Sequence, residues 1–298
     1  MPEPPRSTLM LSTARDTEFE AVHDTPQTSP LIGAQLRERG IVTIDHLGSR
    51  SAVRVYAHRF MTLWKHPDSD QDRLTTIRDS GSRADRAGQA GFGRGELRPH
   101  TERSGIPRPP RLMMLVCLRK ADAGGEVLLT DGQAVHEHLS KSAPEALEYM
   151  RRPGTAFYGG GGGHASQIFT PLLAGRVSLR FRRDQLGQFS PLIQRFLPVL
   201  DEAIAVHQRA FLLKPGQGYI VDNHRFLHAR AAFEGPRECV RALGEPRFPM
   251  LPGFSTEDRR RVSSSTKLGI GPPSFRPARL AEEAGRRAPA STPQVVAR

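Results

Sequence analysis

The first clear hydrophobic pattern lies at residues 31–40, where apolar positions recur with helical spacing and end at Gly40, and residues 41–44 follow as a short strand. Val55, Phe60, Met61 and Trp64 carry a helical period through residues 53–64. Residues 79–99 hold many glycines and arginines and few apolar side chains, too long for a plain connection and typical of a lid or binding loop. The pattern then changes to strands. Residues 111–118 form an apolar run without a polar gap, and residues 125–130 form another that ends at an Asp131-Gly132 turn. Ser142 with Pro144 and Glu145 predicts a capping box, Ser190-Pro191 predicts an N-cap followed by proline at the first helical position, and Pro198 divides that helical region. Residues 209–213, 214–218 and 219–222 read as strand, turn and strand of one hairpin. With no internal repeat and no sustained strand–helix alternation, the pattern predicts a mainly β fold with flanking helices, a barrel or sandwich with helices outside.

Composition sets the outer limits. The chain has 298 residues, 37% of them apolar and 25% charged, which suits one globular domain with polar tails. Residues 1–29 read as a loose arm, 30–250 as the folded domain, and 254–298 as a basic disordered tail. No apolar run approaches the length of a membrane span and no secretory signal pattern opens the chain, so the expectation is a cytoplasmic protein without a membrane partner. Two cysteines, Cys117 and Cys239, exclude a disulfide framework and a four-thiolate metal site, and read as reduced, buried thiols. The net charge of +12 invites a nucleic-acid reading, but nine basic and four acidic residues from Phe254 onward place +5 of it in the tail. Without aromatic platforms or a recognised binding motif, no nucleic-acid partner is expected. Oligomeric state is not legible.

The chemistry concentrates in histidines and acids. A chain with 11 histidines and 31 acidic residues contains about one His-x-acid triplet by chance. This one contains two. His66-Pro67-Asp68 falls in a polar loop and reads as a surface feature, whereas His100-Thr101-Glu102 precedes the strongest strand, where residues i and i+2 share a face. His228 follows the strand at 219–222 and its extension, and supplies a second imidazole. Two histidines and one carboxylate make a facial triad, which leaves three open positions on a ferrous ion for a bidentate cosubstrate and dioxygen. Arg237 and Arg241 lie four apart on a strand beyond His228, and guanidinium binds carboxylate bidentately, so metal and clamp together point to a dicarboxylate cosubstrate. The bland readings are solvated charges for the two arginines, a flexible loop for the glycine run 159–163, surface positions for His136 and His138, and a packed or half-exposed side chain for His207. His224 competes with His228, and the Leu227-His228-Ala229-Arg230 context favours His228.

At these positions the chain resembles the iron(II)- and 2-oxoglutarate-dependent oxygenases of the taurine dioxygenase, clavaminate synthase and butyrobetaine hydroxylase group. Pro99-His100-Thr101-Glu102, Pro109-Pro110-Arg111-Leu112, the segment Gly124 through Gly132, and the segment Val221 through Arg230 carry the resemblance, which spans about residues 30 to 250. It implies a double-stranded β-helix, or jelly-roll, core. By that analogy His100, Glu102 and His228 are the iron ligands and catalytic centre, Arg237 pairs with the distal carboxylate of 2-oxoglutarate, and Arg241 meets the substrate's carboxylate. It further implies Fe(II), 2-oxoglutarate and O2 as cofactor and cosubstrates, with hydroxylation of an unactivated C–H bond of a small, carboxylate-bearing, amino-acid-like molecule and release of succinate and CO2. The glycine run 159–163 and residues 79–99 are the lid candidates.

Two departures qualify the analogy. Val127 stands where relatives usually have threonine, which leaves Arg237 with more of the cosubstrate to bind, and Ala229 replaces the usual glycine after the distal histidine. Glu102 itself argues against halogenation, since related halogenases lack the carboxylate. The alternatives are a non-catalytic jelly-roll binding protein with a basic surface for an acidic partner, and a zinc-bound version of the same fold.

Overall fold

The structure, a computed structural model, describes residues 29–256. The expected arm and nearly all of the basic tail lie outside the described residues. The described residues open with α1 (Ser29–Arg39), β1 (Ile41–Ile44), α2 (Arg50–Phe60), β2 (Met61–Leu63) and β3 (Thr75–Arg78). Then come β4 (Leu97–His100), β5 (Leu112–Arg119), β6 (Ala123–Gly124), β7 (Val127–Asp131), α3 (Gly132–Ser142) and α4 (Pro144–Met150). Five short strands follow: β8 (Ala156–Tyr158), β9 (His164–Ser166), β10 (Phe169–Pro171), β11 (Arg176–Leu179) and β12 (Gly187–Phe189). The described chain ends with α5 (Pro191–Gln194), α6 (Leu197–His207), β13 (Gln208–Phe211), β14 (Gly218–Asp222), β15 (Phe226–Arg230), β16 (Phe233–Glu234), β17 (Glu238–Pro246) and β18 (Phe254–Ser255).

Antiparallel sheets dominate, consistent with a jelly-roll-type core. One has the order β1-β14-β5-β17-β2 with β3 also on β17, and a second has the order β13-β7-β15-β4. The apolar run in β5 is explained by burial on both of its faces. Leu112, Met114 and Val116 pack with Val53, Tyr56 and Phe60 of α2 and with Ile32 and Leu36 of α1. Met113 and Cys117 turn the other way, into a cluster shared with Val127 and Leu129 of β7 and Phe226 of β15. A strand covered on both sides loses the polar half of its alternation. The far side of the second sheet is covered by α3, α4 and α6, where Leu139, Leu147 and Leu200 meet Phe169, Leu179 and Leu227. Among the described residues no helix is long and apolar enough to cross a membrane.

Several local expectations are corrected. The helical period through residues 53–64 stops at Phe60, because Met61 turns extended and residues Met61–Leu63 pair with Pro246, Glu245 and Gly244 of β17. Asp131 does not open a turn between strands; its carboxylate accepts from the Gln133 N–H and caps α3. Ser142 does not cap α4 either, since its hydroxyl donates back to the His138 carbonyl and Ala143 occupies the cap position without a side-chain bond. Ser190 does precede α5 with Pro191 at its start, but its hydroxyl makes no capping bond. The expected hairpin of residues 209–222 does not form. β13 pairs with β7 and β14 pairs with β1 and β5, so the intervening turn carries the chain from one sheet to the other.

Candidate active site

The crossing from sheet to sheet repeats after β14 and builds the site. Residues 223–225 turn the chain, and His228 lies in the new strand β15 rather than on an extension of β14. There it stands directly opposite His100, the last residue of β4, with ring centroids 4.1 Å apart and planes inclined by 49°. After His100 the chain does not stay extended, so the face-sharing argument for His100 and Glu102 gives way to a turn. Thr101 N–H donates to Phe181 O at 2.8 Å, and the Asn223 side chain takes the Glu102 N–H at 2.7 Å and returns an N–H to the Glu102 carbonyl at 3.0 Å. Arg180 fixes the rest of the turn by donating to the carbonyls of Ser104, Ile106 and Pro107. Gly105 is required there because a Cβ would lie 2.1 Å from the Gly160 carbonyl oxygen.

One ligand atom each from His100, Glu102 and His228 lies within 4.8 Å of the others. Glu102 and His228 are buried, and His228 Nε2 is 3.5 Å from Glu102 Oε1. His100 Nδ1 is 2.8 Å from Arg98 O, so its proton belongs on Nδ1 and the Nε2 lone pair is left for a ligand. Burial, reinforced by the neighbouring His228, pushes the His100 imidazole down to about 3, which keeps it neutral as a metal ligand must be. Burial acts to raise the Glu102 carboxyl, but Arg241 together with the two imidazoles holds it well below the ordinary carboxylate range. Two imidazoles and a carboxylate fit a divalent transition-metal ion. His224, the competitor, has Nε2 against the Pro109 carbonyl at 3.2 Å and is not part of this group.

Around these three side chains lies a cavity of about 280 Å³, lined by both arginines singled out in the sequence. Arg237 is buried, and among the described residues its guanidinium has the Phe233 ring, 5.7 Å away, but no hydrogen bond or ion pair. The Arg237 guanidinium is thus a cation at the cavity wall with no anionic partner among the described residues. Arg241 Nη1 donates to Glu102 Oε1 at 2.5 Å, while its buried Nε has no partner among the described residues. Val127 lines the same wall and presents no hydroxyl. Both lid candidates reach the cavity, through residues 87–92 and through Gly159, Gly160 and Gly161.

Sequence reasoning passed over other contributors. Arg230, buried two residues beyond His228, donates to the carbonyls of Gly91, Gly93 and Gly95 and so ties the Gly/Arg-rich loop to the strand that carries His228. His66, expected at the surface, lines the cavity instead, and burial with the nearby Arg241 lowers it to about 4. Asn223 is the third. Its signal was its place inside the segment Val221 through Arg230, but no local pattern ties it to Glu102. His136 also departs from expectation: it is buried, edge-on to Phe169 and Phe254, with Nε2 facing Arg151.

Comparison with solved structures shows the fold. An asparagine oxygenase superposes with a TM-score of 0.62 at 15% identity, covering 74% of this chain and 79% of that one. The non-heme iron oxygenase OrfP, in complex with (3S)-hydroxy-L-Arg, gives 0.59 at 16% identity over 82% and 84%. PvcB from Pseudomonas aeruginosa gives 0.56 at 17% identity over 72% and 79%. Human gamma-butyrobetaine dioxygenase is 23% identical over an alignment of 201 residues that covers 62% of this chain and 49% of the relative. The same protein from Pongo abelii matches to the same extent, so the chain spans about half the length of the curated relatives it matches. The model of the taurine catabolism dioxygenase TauD, TfdA family matches residues 11–243, most of the chain, and the chain belongs to that family.

Proposed function

We propose that the chain is an Fe(II)- and 2-oxoglutarate-dependent oxygenase that hydroxylates a small amino-acid-like molecule bearing a carboxylate, on a double-stranded β-helix core. The observation that carries this reading is the association, in one cavity, of the His100, Glu102 and His228 donors with the unpaired guanidinium of Arg237. Iron bound there supplies the activation of dioxygen, with oxidative decarboxylation of 2-oxoglutarate to succinate and CO2. The chain's own residues bind and orient. His100, Glu102 and His228 hold the metal on one side and leave the cavity side open. Arg237 takes the distal carboxylate of 2-oxoglutarate in a charge-assisted pair. Arg241 braces Glu102 with Nη1 and keeps Nε for the substrate's carboxylate. The walls at residues 87–92 and 159–161 exclude water from the reacting atoms.

The structural neighbours support an amino-acid-like substrate: the asparagine oxygenase is described with 3-hydroxyasparagine and succinate, and OrfP with hydroxylated arginine. The test is succinate release from 2-oxoglutarate by the purified protein across a panel of free amino acids, with and without Fe(II). Iron-dependent succinate that disappears in His100→Ala and His228→Ala supports the reading. Turnover retained in both variants, or turnover supported by zinc, sinks it.

A further inference from the structure

Cys117 and Cys239, expected from the sequence to be reduced, buried thiols, occupy opposite positions on neighbouring strands. Cys239 of β17 is in register with Cys117 of β5, and both are buried. The hydrogen-bonding direction of Cys117 is known from its other neighbours. Its N–H donates to Gln217 O and its carbonyl accepts from Gly216 N, both at 2.8 Å and both toward the β14 side. Its backbone groups therefore point away from β17, and the pair with Cys239 is a non-hydrogen-bonded rung. In an antiparallel ladder such rungs bring opposed Cα atoms to about 4.5 Å and their side chains closest together. That separation falls within the Cα span a disulfide bridges, about 4.4–6.8 Å.

The rung also has a particular address. Along β5, Met113 and Leu115 line the cavity and Cys117 is the next residue on the same face; along β17, Arg241 lines the cavity and Cys239 precedes it on the same face. Arg241 is in register with Leu115, so the thiol pair is the rung immediately behind the cavity wall. The electrostatics divide the labour. The Cys117 S–H donating to Cys239, with the cations of Arg237 and Arg230, holds the Cys239 thiol below its ordinary value despite burial, while the same contact and burial push Cys117 up. These directions favour Cys239 as the attacking sulfur once deprotonated and Cys117 as the resolving thiol.

We infer that Cys117 and Cys239 form a reversible intrachain redox site, closed to a disulfide by a two-electron oxidant of the peroxide class entering from the cavity side. The Cys239 thiolate attacks one oxygen of hydrogen peroxide, the O–O bond breaks, and Cys239 becomes a sulfenic acid as hydroxide leaves and takes up the proton that Cys239 had released. The Cys117 sulfur then displaces the hydroxyl from Cys239 sulfur. The S–S bond forms, and the displaced hydroxyl leaves as water with the Cys117 proton. Two thiols lose two electrons in total and one peroxide becomes two waters.

The test uses the full chain, fully reduced, exposed to hydrogen peroxide, quenched with catalase, then unfolded in the presence of iodoacetamide. The expected product is a monomer about 2 Da lighter than the reduced chain, blocked to alkylation and restored to two alkylatable thiols by dithiothreitol. Non-reducing peptide mapping should join the Cys117 and Cys239 segments, and Cys117→Ser should stop at the sulfenic acid on Cys239. Two alkylated cysteines after peroxide, a disulfide-linked dimer, or sulfinic acid on either cysteine of the native chain would overturn the inference. None of these readouts needs a substrate or iron, so they stand whether or not the proposed oxygenase activity is found.

Discussion

The side-chain amide of Asn223 holds both backbone groups of Glu102, accepting its N–H at 2.7 Å and donating to its carbonyl at 3.0 Å, and donates as well to the Pro110 carbonyl at 2.8 Å. All of Asn223 is buried, so the turn that presents the Glu102 carboxylate is locked to the chain just after β14. Asn223→Ala leaves these buried backbone groups without partners, at a cost of about 2–4 kcal/mol in folding free energy. The same change frees the turn, and metal affinity is expected to fall about 10–100-fold, the usual effect of losing an outer support of a ligand. Urea unfolding and a metal titration measure the two effects. Unchanged metal affinity in a folded Asn223→Ala protein would show that Glu102 is positioned by other contacts.

Arg237→Ala should weaken 2-oxoglutarate binding by roughly 30- to 1000-fold, corresponding to about 2–4 kcal/mol for a lost charge-assisted pair. Metal binding should be retained, because Arg237 has no hydrogen bond or ion pair with the three ligand residues. Anaerobic titration with Fe(II) and 2-oxoglutarate, followed by the weak visible charge-transfer band of the chelated keto acid, separates the two effects.

Arg241→Ala is expected to lose substrate affinity and keep 2-oxoglutarate affinity. The same titration decides this, because a variant that loses the cosubstrate instead would exchange the roles of Arg237 and Arg241.

Arg230→Ala removes the donor shared by the Gly91, Gly93 and Gly95 carbonyls and so releases the Gly/Arg-rich loop from β15. That loop carries Arg83, Arg86 and Arg94, each a tryptic site, whereas Arg98 is followed by Pro99 and resists trypsin. Limited proteolysis under native conditions should cut there about tenfold or more faster than in the unaltered chain, as local opening becomes easier. Equal cleavage rates would mean that the loop is held without Arg230.

His136 sets a pH dependence. Burial, with Arg151 beside it, lowers this imidazole from 6.5 to about 4 in the folded protein. Above pH 6.5 both folded and unfolded states are neutral and nothing is lost. As the pH falls from 6.5 toward 4 the unfolded state takes up the proton and the folded state does not, so stability falls by as much as about 3 kcal/mol. His136→Gln keeps an acceptor for Arg151 and removes the titration. The difference in urea midpoint between the two proteins should therefore vary with pH below 6.5 and be flat above it.

The chain's local patterns were enough to place α1, Gly40, β1 and β5, because each depends on side-chain periodicity and backbone preference within a dozen residues. The residue types of the site were also legible: two histidines, a carboxylate and two arginines carry their chemistry wherever they stand. Other features depend on long-range pairing. Residues 209–213 and 219–222 look like one hairpin, yet β13 finds β7 and β14 finds β1 and β5, and Phe211, Leu213, Tyr219 and Val221 all join the cluster shared by the two sheets. The choice of His228 over His224 follows from that crossing, which puts His228 opposite His100 and His224 against Pro109. The partnership of Asn223 with Glu102 spans 121 positions, and that of Cys117 with Cys239 is a matter of register between strands far apart in the chain. Such contacts leave no trace in local periodicity, because the free energy that selects them comes from burial shared by both segments and exists only once the sheets have met.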